Sequence, residues 1–227
     1  MIARAWHAVI AVLVAAALSA QLVIAVRVSG TPHDTSVGVL RGSSLLGRII
    51  RVLSFFTIQS NLLSGIVSAQ LAWRPDRDGR AWRGLRLAAL LGITVTGIVY
   101  STVLAGIHQP NGSAETFVND LVHYVIPTLM VLGWLIFGPR PRIDPATLGR
   151  SLLFPALWMA YTLVRGGIWK WYPYPFLDVV SHGYGRVIFN SLLVLVVLTV
   201  VAGAFLAGDR ALPPAPRAVR PARAGQV

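Results

Sequence analysis

The chain has 227 residues, of which 55% are hydrophobic and 12% charged, and its mean hydropathy is +0.66. Soluble domains carry about a quarter charged residues, so this composition excludes an ordinary soluble enzyme. The sequence has no cysteine, which excludes disulfides, thiol chemistry and cysteine-ligated metal or iron–sulfur sites. The net charge of +12 does not indicate a nucleic-acid partner, because the basic residues lie in the loops between apolar blocks.

Six apolar blocks, each close to the roughly 20 residues that cross a bilayer, predict a single all-α integral membrane domain over residues 1–208. In chain order these transmembrane helices cover about residues 6–26, 52–72, 87–107, 121–137, 151–168 and 187–207. The first block can also be interpreted as a signal peptide, because Arg4 precedes it and Ala17-Leu18-Ser19 resembles a cleavage site. Its apolar run continues to Val26, which favours a span.

The distribution of basic residues predicts that both termini are cytoplasmic. Thirteen arginines lie at the N-terminus, in the second and fourth loops and in the tail, against six basic residues on the opposite side. Residues 209–227 form a basic tail rich in Pro, Ala and Arg, which we predict to be disordered. The Ala/Val/Leu/Gly/Arg bias is typical of high-GC coding and predicts a multi-pass protein of a bacterial plasma membrane.

Polar residues follow one face of the second predicted helix: Thr57, Ser60, Asn61, Ser64 and Ser68 are spaced at i, i+3, i+4, i+7 and i+11. Small and hydroxyl residues also let membrane helices approach closely, and this explanation suffices for Ser64 and Ser68. Four polar residues within five positions are more than helix packing alone needs: Thr57, Gln59, Ser60 and Asn61. Polar residues inside membranes tend to face a cavity or the bundle interior.

The topology predicts that several distant polar residues share one layer near the outer membrane face. Thr57 lies roughly 7 Å into the second helix, at 1.5 Å per residue, and His123 lies at the outer end of the fourth. Arg165 is close to the outer end of the fifth helix, and Asp178 and His182 follow in the outer loop.

A threonine beside a histidine is the minimum for nucleophilic catalysis, because the hydroxyl needs an adjacent base. We predict Thr57 as nucleophile and His123 as base. Supporting or substrate-binding roles fall to Gln59, Ser60, Asn61, Tyr124, Arg165, Asp178 and His182, with Asp120 as another group that could orient the histidine. The alternative is that His123 is a hydrogen-bonded interface histidine. A metal site of His108, His123 and His182 matches no ligand pattern, so we predict neither metal nor cofactor.

The segments Phe55-Phe56-Thr57-Ile58-Gln59-Ser60-Asn61-Leu62, His123 with Pro127, and Trp171-Tyr172-Pro173-Tyr174-Pro175-Phe176-Leu177-Asp178 resemble a known family. They look like bacterial six-helix relatives of the androgen-induced and androgen-dependent TFPI-regulating membrane hydrolases. The resemblance covers about residues 6–207. It implies a threonine hydrolase that cleaves fatty acid esters of hydroxy fatty acids, with Thr57 matching the nucleophile and His123 the histidine.

The sequence therefore predicts an intramembrane lipid-ester hydrolase whose partners are membrane lipid and a lipid-like small-molecule substrate. The alternative is a non-catalytic membrane protein, either a lipid- or small-molecule-binding module or an accessory subunit. The distance between Thr57 Oγ1 and a ring nitrogen of His123 discriminates between these two functions.

Overall fold

The computed structural model describes residues 1–27, 40, 43–108, 110 and 112–214, and within these residues it is all-helical. Five helices are long and apolar enough to cross a membrane, and a sixth span arises if one bent helix pair counts as a single span. The helices are α1 Ile2–Arg27, α2 Leu45–Ser54, α3 Phe56–Trp73, α4 Arg80–Val99, α5 Gly112–Asp120, α6 Ile126–Phe137, α7 Pro145–Trp169 and α8 Val179–Ala211.

The predicted spans correspond to these helices with shifted ends. The first block is one unbroken helix that begins at Ile2 and runs past Ser19 to Arg27. The two short blocks are longer than predicted, because the fourth continues back through α5 to Gly112 and the fifth covers Pro145–Trp169. α8 ends at Ala211, three residues into the predicted tail, and residues 215–227 of that tail lie outside the described residues.

The core lies where α4 packs against α3, α6 and α7, with α1 against α3. Its central residues are fully buried aliphatic side chains, among them Ile10, Leu91, Ile93 and Ile126. The buried positions Ser60, Asn61, Ser64 and Ser68 of α3 lie inside this packing. The polar stripe therefore faces the bundle interior, as its spacing predicts.

The second predicted span is broken at Phe55, where the chain is extended and α2 turns by 71° relative to α3. A break in a helix leaves backbone carbonyls without their helical donors. Here Gln59 Nε2 donates to Leu53 O at 3.0 Å, and Trp158 Nε1 donates to Ser54 O at 2.9 Å. The break brings Phe56 and Thr57 into the first turn of α3.

Two single π-helical turns interrupt the long helices at the same level. One covers Tyr100–Leu104 at the end of α4, and the other covers Leu121–Val125 between α5 and α6. The second carries His123, and its ring stacks on Tyr100 with 3.8 Å between ring centroids. Isolated π turns occur frequently at functional sites.

Candidate active site

Thr57 and His123 lie side by side, although 66 residues separate them in the chain. Thr57 Oγ1 is 3.3 Å from His123 Nε2, within hydrogen-bond reach. Thr57 is buried and His123 half-buried. A threonine hydroxyl and an unprotonated imidazole nitrogen in this arrangement form a nucleophile and base pair.

Asn119 fixes which nitrogen of His123 carries the proton. Nδ1 is 3.1 Å from Asn119 O and 3.0 Å from Asn119 Oδ1, and both oxygens are acceptors. Nδ1–H therefore donates to Asn119, and in the neutral ring Nε2 is left as the acceptor for the Thr57 hydroxyl. The group that orients the histidine is an amide one helical turn before it. Asp120 and Asp178, the carboxylates considered from the sequence, do not make this contact.

Thr57 is contacted by Tyr174 as well as by His123. Its hydroxyl accepts a hydrogen bond from Thr57 N–H at 3.2 Å and lies 3.2 Å from Thr57 Oγ1. Burial raises the pKa of Tyr174, so the phenol keeps its proton and can donate it to Thr57 Oγ1. With that lone pair occupied, the hydrogen of the Thr57 hydroxyl points at His123 Nε2.

Asn61 ties the turn of Thr57 to the turn of His123. In the π turn, Ile126 N–H donates to Leu121 O, five residues back, which frees Val122 O from its usual helical donor. Asn61 Nδ2 donates to this carbonyl at 3.2 Å and to Thr57 O at 2.9 Å. Asn61 is therefore a positioning residue. Both hydrogens of its amide are used, so it does not supply a free oxyanion donor.

Two cavities meet at Thr57 and Tyr174. The larger, of about 280 Å³, also contacts His123 and Asn119, and at its other end lie the polar side chains of Gln21, His108 and Glu115. The smaller, of about 60 Å³, lies between α4, α7 and α8 and is lined almost wholly by apolar side chains. The Thr57 hydroxyl is thus reachable from both a mixed polar chamber and an apolar slot.

The other predicted support residues lie away from this pair. The side chain of Gln59 donates to Leu53 O, a carbonyl at the break between α2 and α3. Ser60 Oγ lies on the side of α3 that faces Gly92 and Phe154. Tyr124 is exposed, with its ring edge-on to Tyr100.

Arg165, Asp178 and His182, which the sequence predicts at the same depth as Thr57, make no hydrogen bond to Thr57 or His123 among the contacts of the described residues. Arg165 lines a different cavity. Asp178 caps α8 through the backbone N–H groups of Val180 and Ser181, and the ring of exposed His182 returns to Asp178 O. Equal depth in a membrane does not fix the direction in which a side chain points around the bundle.

Asn119 and Tyr174 are the residues that the sequence reasoning missed. Asn119 carries a detectable signal, because it precedes His123 by four residues and these positions share a helix face. Tyr174 lies in one of the three segments that carry the family resemblance, but its spacing gives no sign of the contact, which depends on how the loop of residues 171–178 folds back over α3.

Comparison of the chain with protein-family models, with curated proteins and with solved structures finds no match. Support for a function therefore comes from the geometry of the site and from the resemblance of its motifs. Among the described residues, no group of three or more His, Cys, Asp or Glu side chains has the arrangement of a metal site.

Proposed function

We propose that this protein is an intramembrane lipid-ester hydrolase with Thr57 as nucleophile and His123 as base. The observation that carries the proposal is the continuous hydrogen-bond series from Asn119 through His123 and Thr57 to Tyr174, which opens onto two cavities. The Thr–His pair that the motif resemblance implies is the pair that lies within hydrogen-bond reach.

In the first step, Thr57 Oγ1 attacks the acyl carbonyl carbon and His123 Nε2 takes the hydroxyl proton. The C–O bond to the alcohol then breaks, and the protonated ring returns this proton to the leaving oxygen, which gives an acyl-threonine. A water activated by Nε2 attacks the acyl carbon, and the carboxylic acid leaves as Thr57 regains its proton. The Tyr174 hydroxyl lies 3.2 Å from Thr57 Oγ1, and we assign to it the donation of a hydrogen bond to the carbonyl oxygen that becomes negative.

The two cavities support a substrate with an apolar acyl chain and a more polar remainder. The slot between α4, α7 and α8 suits a hydrocarbon chain, because burial of apolar surface favours it there. The larger chamber accommodates the polar groups and water needed for deacylation. We place the chain in a bacterial plasma membrane with six spans and both termini in the cytoplasm, as the arginine distribution favours.

The decisive experiment is labelling of the purified protein by a fluorophosphonate, with the modified residue located by mass spectrometry. We expect label on Thr57, its loss in Thr57→Ala, and a rate at least about 100-fold lower in His123→Ala, the usual scale for loss of a general base. Thr57→Ser, which keeps the hydroxyl, should retain labelling.

Matched controls come from the same surroundings. Thr96→Ala removes a buried threonine that lines only the smaller cavity, and His108→Ala removes a histidine at the far end of the larger one. Both should label like the wild type. A well-folded wild type that takes no label would contradict the hydrolase and favour the alternative, a non-catalytic binding protein using the same cavities.

A further inference from the structure

A cavity of about 400 Å³ lies between α2 and α7, at the end of the bundle that also holds Thr57. It is separate from the larger cavity at Thr57, because among the described residues the two cavities share no lining residue. The lining residues are Ser43, Gly47, Ile50, Arg51, Tyr161, Arg165, Trp169 and Trp171.

Two guanidinium groups from different helices converge on one indole ring in this cavity. The Cζ atom of Arg51 lies 5.3 Å from the centroid of Trp171, and that of Arg165 lies 4.8 Å from it. The two arginines are close enough to repel each other electrostatically. An anion placed between the two guanidiniums would relieve this repulsion.

The surroundings match the polar boundary of a membrane. α2 is strongly amphipathic, with Leu46, Ile50 and Leu53 exposed, and it turns away from α3 by 71°. Amphipathic helices with basic residues on the polar face lie in the membrane interface. The exposed Trp169 and the half-buried Trp171 of the cavity wall are typical of residues at the membrane interface.

We propose that Arg51 and Arg165 form a binding site for a phosphate group at the membrane interface, with the head group of an anionic phospholipid as its source. Arginine presents a planar fork of N–H donors that matches the oxygens of a phosphate diester. The exposed apolar side chains of Leu157, Val164 and Ile168 along α7 provide a surface for the acyl chains. This proposal goes beyond the hydrolase and stands without it.

Occupancy of the site should tighten the contact between α2 and α7. Two described side-chain hydrogen bonds join them directly: Ser54 Oγ to Tyr161 Oη at 2.8 Å, and Trp158 Nε1 to Ser54 O at 2.9 Å. A phosphate held by both arginines would be a further bridge. A ligand that binds only the folded state raises the apparent stability.

The test measures the thermal stability of the purified full-length protein in neutral detergent. The additions are phosphatidylglycerol, diacylglycerol, which lacks the phosphate, and inorganic phosphate. We expect phosphatidylglycerol to raise the Tm of the wild type and diacylglycerol to leave it unchanged. A rise with inorganic phosphate as well would identify a phosphate site that also takes a soluble ligand.

The variants separate this site from general attraction of a basic protein to anionic lipid. Arg51→Gln and Arg165→Gln should abolish the Tm rise, whereas Arg186→Gln, an exposed arginine outside the cavity with the same loss of charge, should keep it. Arg165→Lys tests the guanidinium in a protein of unchanged charge and should need about tenfold more lipid. Two results would overturn the proposal: a rise in Tm with diacylglycerol equal to that with phosphatidylglycerol, or a loss of the phosphatidylglycerol-induced rise in Arg186→Gln as large as that in Arg165→Gln.

Discussion

At the scale of single residues, the Thr57 hydroxyl is held between a donor and an acceptor from distant parts of the chain. Tyr174 contacts both the backbone N–H and the Oγ1 of Thr57, and His123 Nε2 lies on the other side. The contact with the phenol does not change the identity of the nucleophile. It restricts the direction of the hydroxyl hydrogen, so under the proposed function Tyr174 is a positioning residue for Thr57.

Tyr174→Phe should lower the rate of fluorophosphonate labelling at Thr57 by about 10- to 100-fold, because one oriented hydrogen bond is lost while the nucleophile and base remain. The labelling rate is measured between pH 6 and pH 9. We expect a lower plateau across this range and an unchanged elution volume on gel filtration.

Tyr172→Phe is the matched control, since Tyr172 is equally buried in the same loop and does not contact Thr57. A Tyr174→Phe protein that labels at the wild-type rate would show that the phenol has only a packing role. Absence of labelling in the wild type would instead concern the Thr–His proposal itself.

At the scale of elements, the loop of residues 171–178 reaches the site because α7 has no side chain at the position where the loop packs against it. Gly166 is buried in the last turns of α7, and a Cβ atom there would overlap the ring of Tyr172. Gly167, the next residue, has open space around its Cα. The glycine at 166 thus allows the loop to dock and brings Tyr174 over Thr57.

Gly166→Ala should lower the Tm and slow the labelling of Thr57, because the Tyr172 ring must move and the loop moves with it. Gly167→Ala gains the same helix propensity, about 1 kcal/mol, without the overlap. We expect it to match or exceed the wild-type Tm. Equal behaviour of the two variants in a thermal unfolding scan would contradict this account of the loop.

The sequence predicted the helices better than their interruptions. Apolar blocks of sufficient length located every long helix, since burial in lipid requires that pattern. The break at Phe55 contains no proline or glycine that would predict it. The backbone carbonyls at the break accept hydrogen bonds from Gln59 and from Trp158, which is 104 residues from Ser54. The π turn at His123 likewise depends on Asn61 from another helix.

The site was predictable only in part, for the same reason. Thr57 and His123 fall at one depth by counting residues along each helix, and the structure brings them together. Arg165 falls at a similar depth but lies in another cavity, because its position around the helix directs it towards α2. Depth follows from the sequence, whereas direction around the bundle depends on how the helices pack.

At the scale of the whole molecule, the end opposite the site is held by carboxylates that join loops far apart in sequence. Asp78 accepts hydrogen bonds from Arg83 and forms a salt bridge with Arg142 at 2.8 Å. Asp209, buried near the end of α8, accepts from the backbone N–H groups of Arg142 and Ile143. These contacts tie the start of α4 and the end of α8 to the loop before α7.

The salt bridges of Asp78 predict a pH dependence of stability. The hydrogen bond from Arg83 holds the pKa of Asp78 well below its ordinary value of 3.8. A carboxylate with a lowered folded-state pKa stabilises the protein above about pH 4, and this contribution is lost as the pH falls further. Because Asp78 is partly exposed, the contribution should be about 1 kcal/mol or less.

Asp78→Asn should therefore lower the Tm at pH 7 and lose less of its Tm than the wild type between pH 6 and pH 3. The neighbouring exposed Asp76→Asn is the control and should follow the wild-type curve. Thermal unfolding in detergent at several pH values gives both curves. Parallel curves for the wild type and Asp78→Asn would show that the arginine pairs contribute nothing measurable.

The long separation between Thr57, His123 and Tyr174 also has a consequence for biosynthesis. A ribosome delivers the threonine early and the histidine midway, and the phenol that orients the hydroxyl enters only after about three quarters of the chain. A nascent protein halted before residue 174 would hold the reactive pair without its orienting partner. Under the proposed function, translation order would therefore keep this centre below its full rate until the bundle is nearly complete.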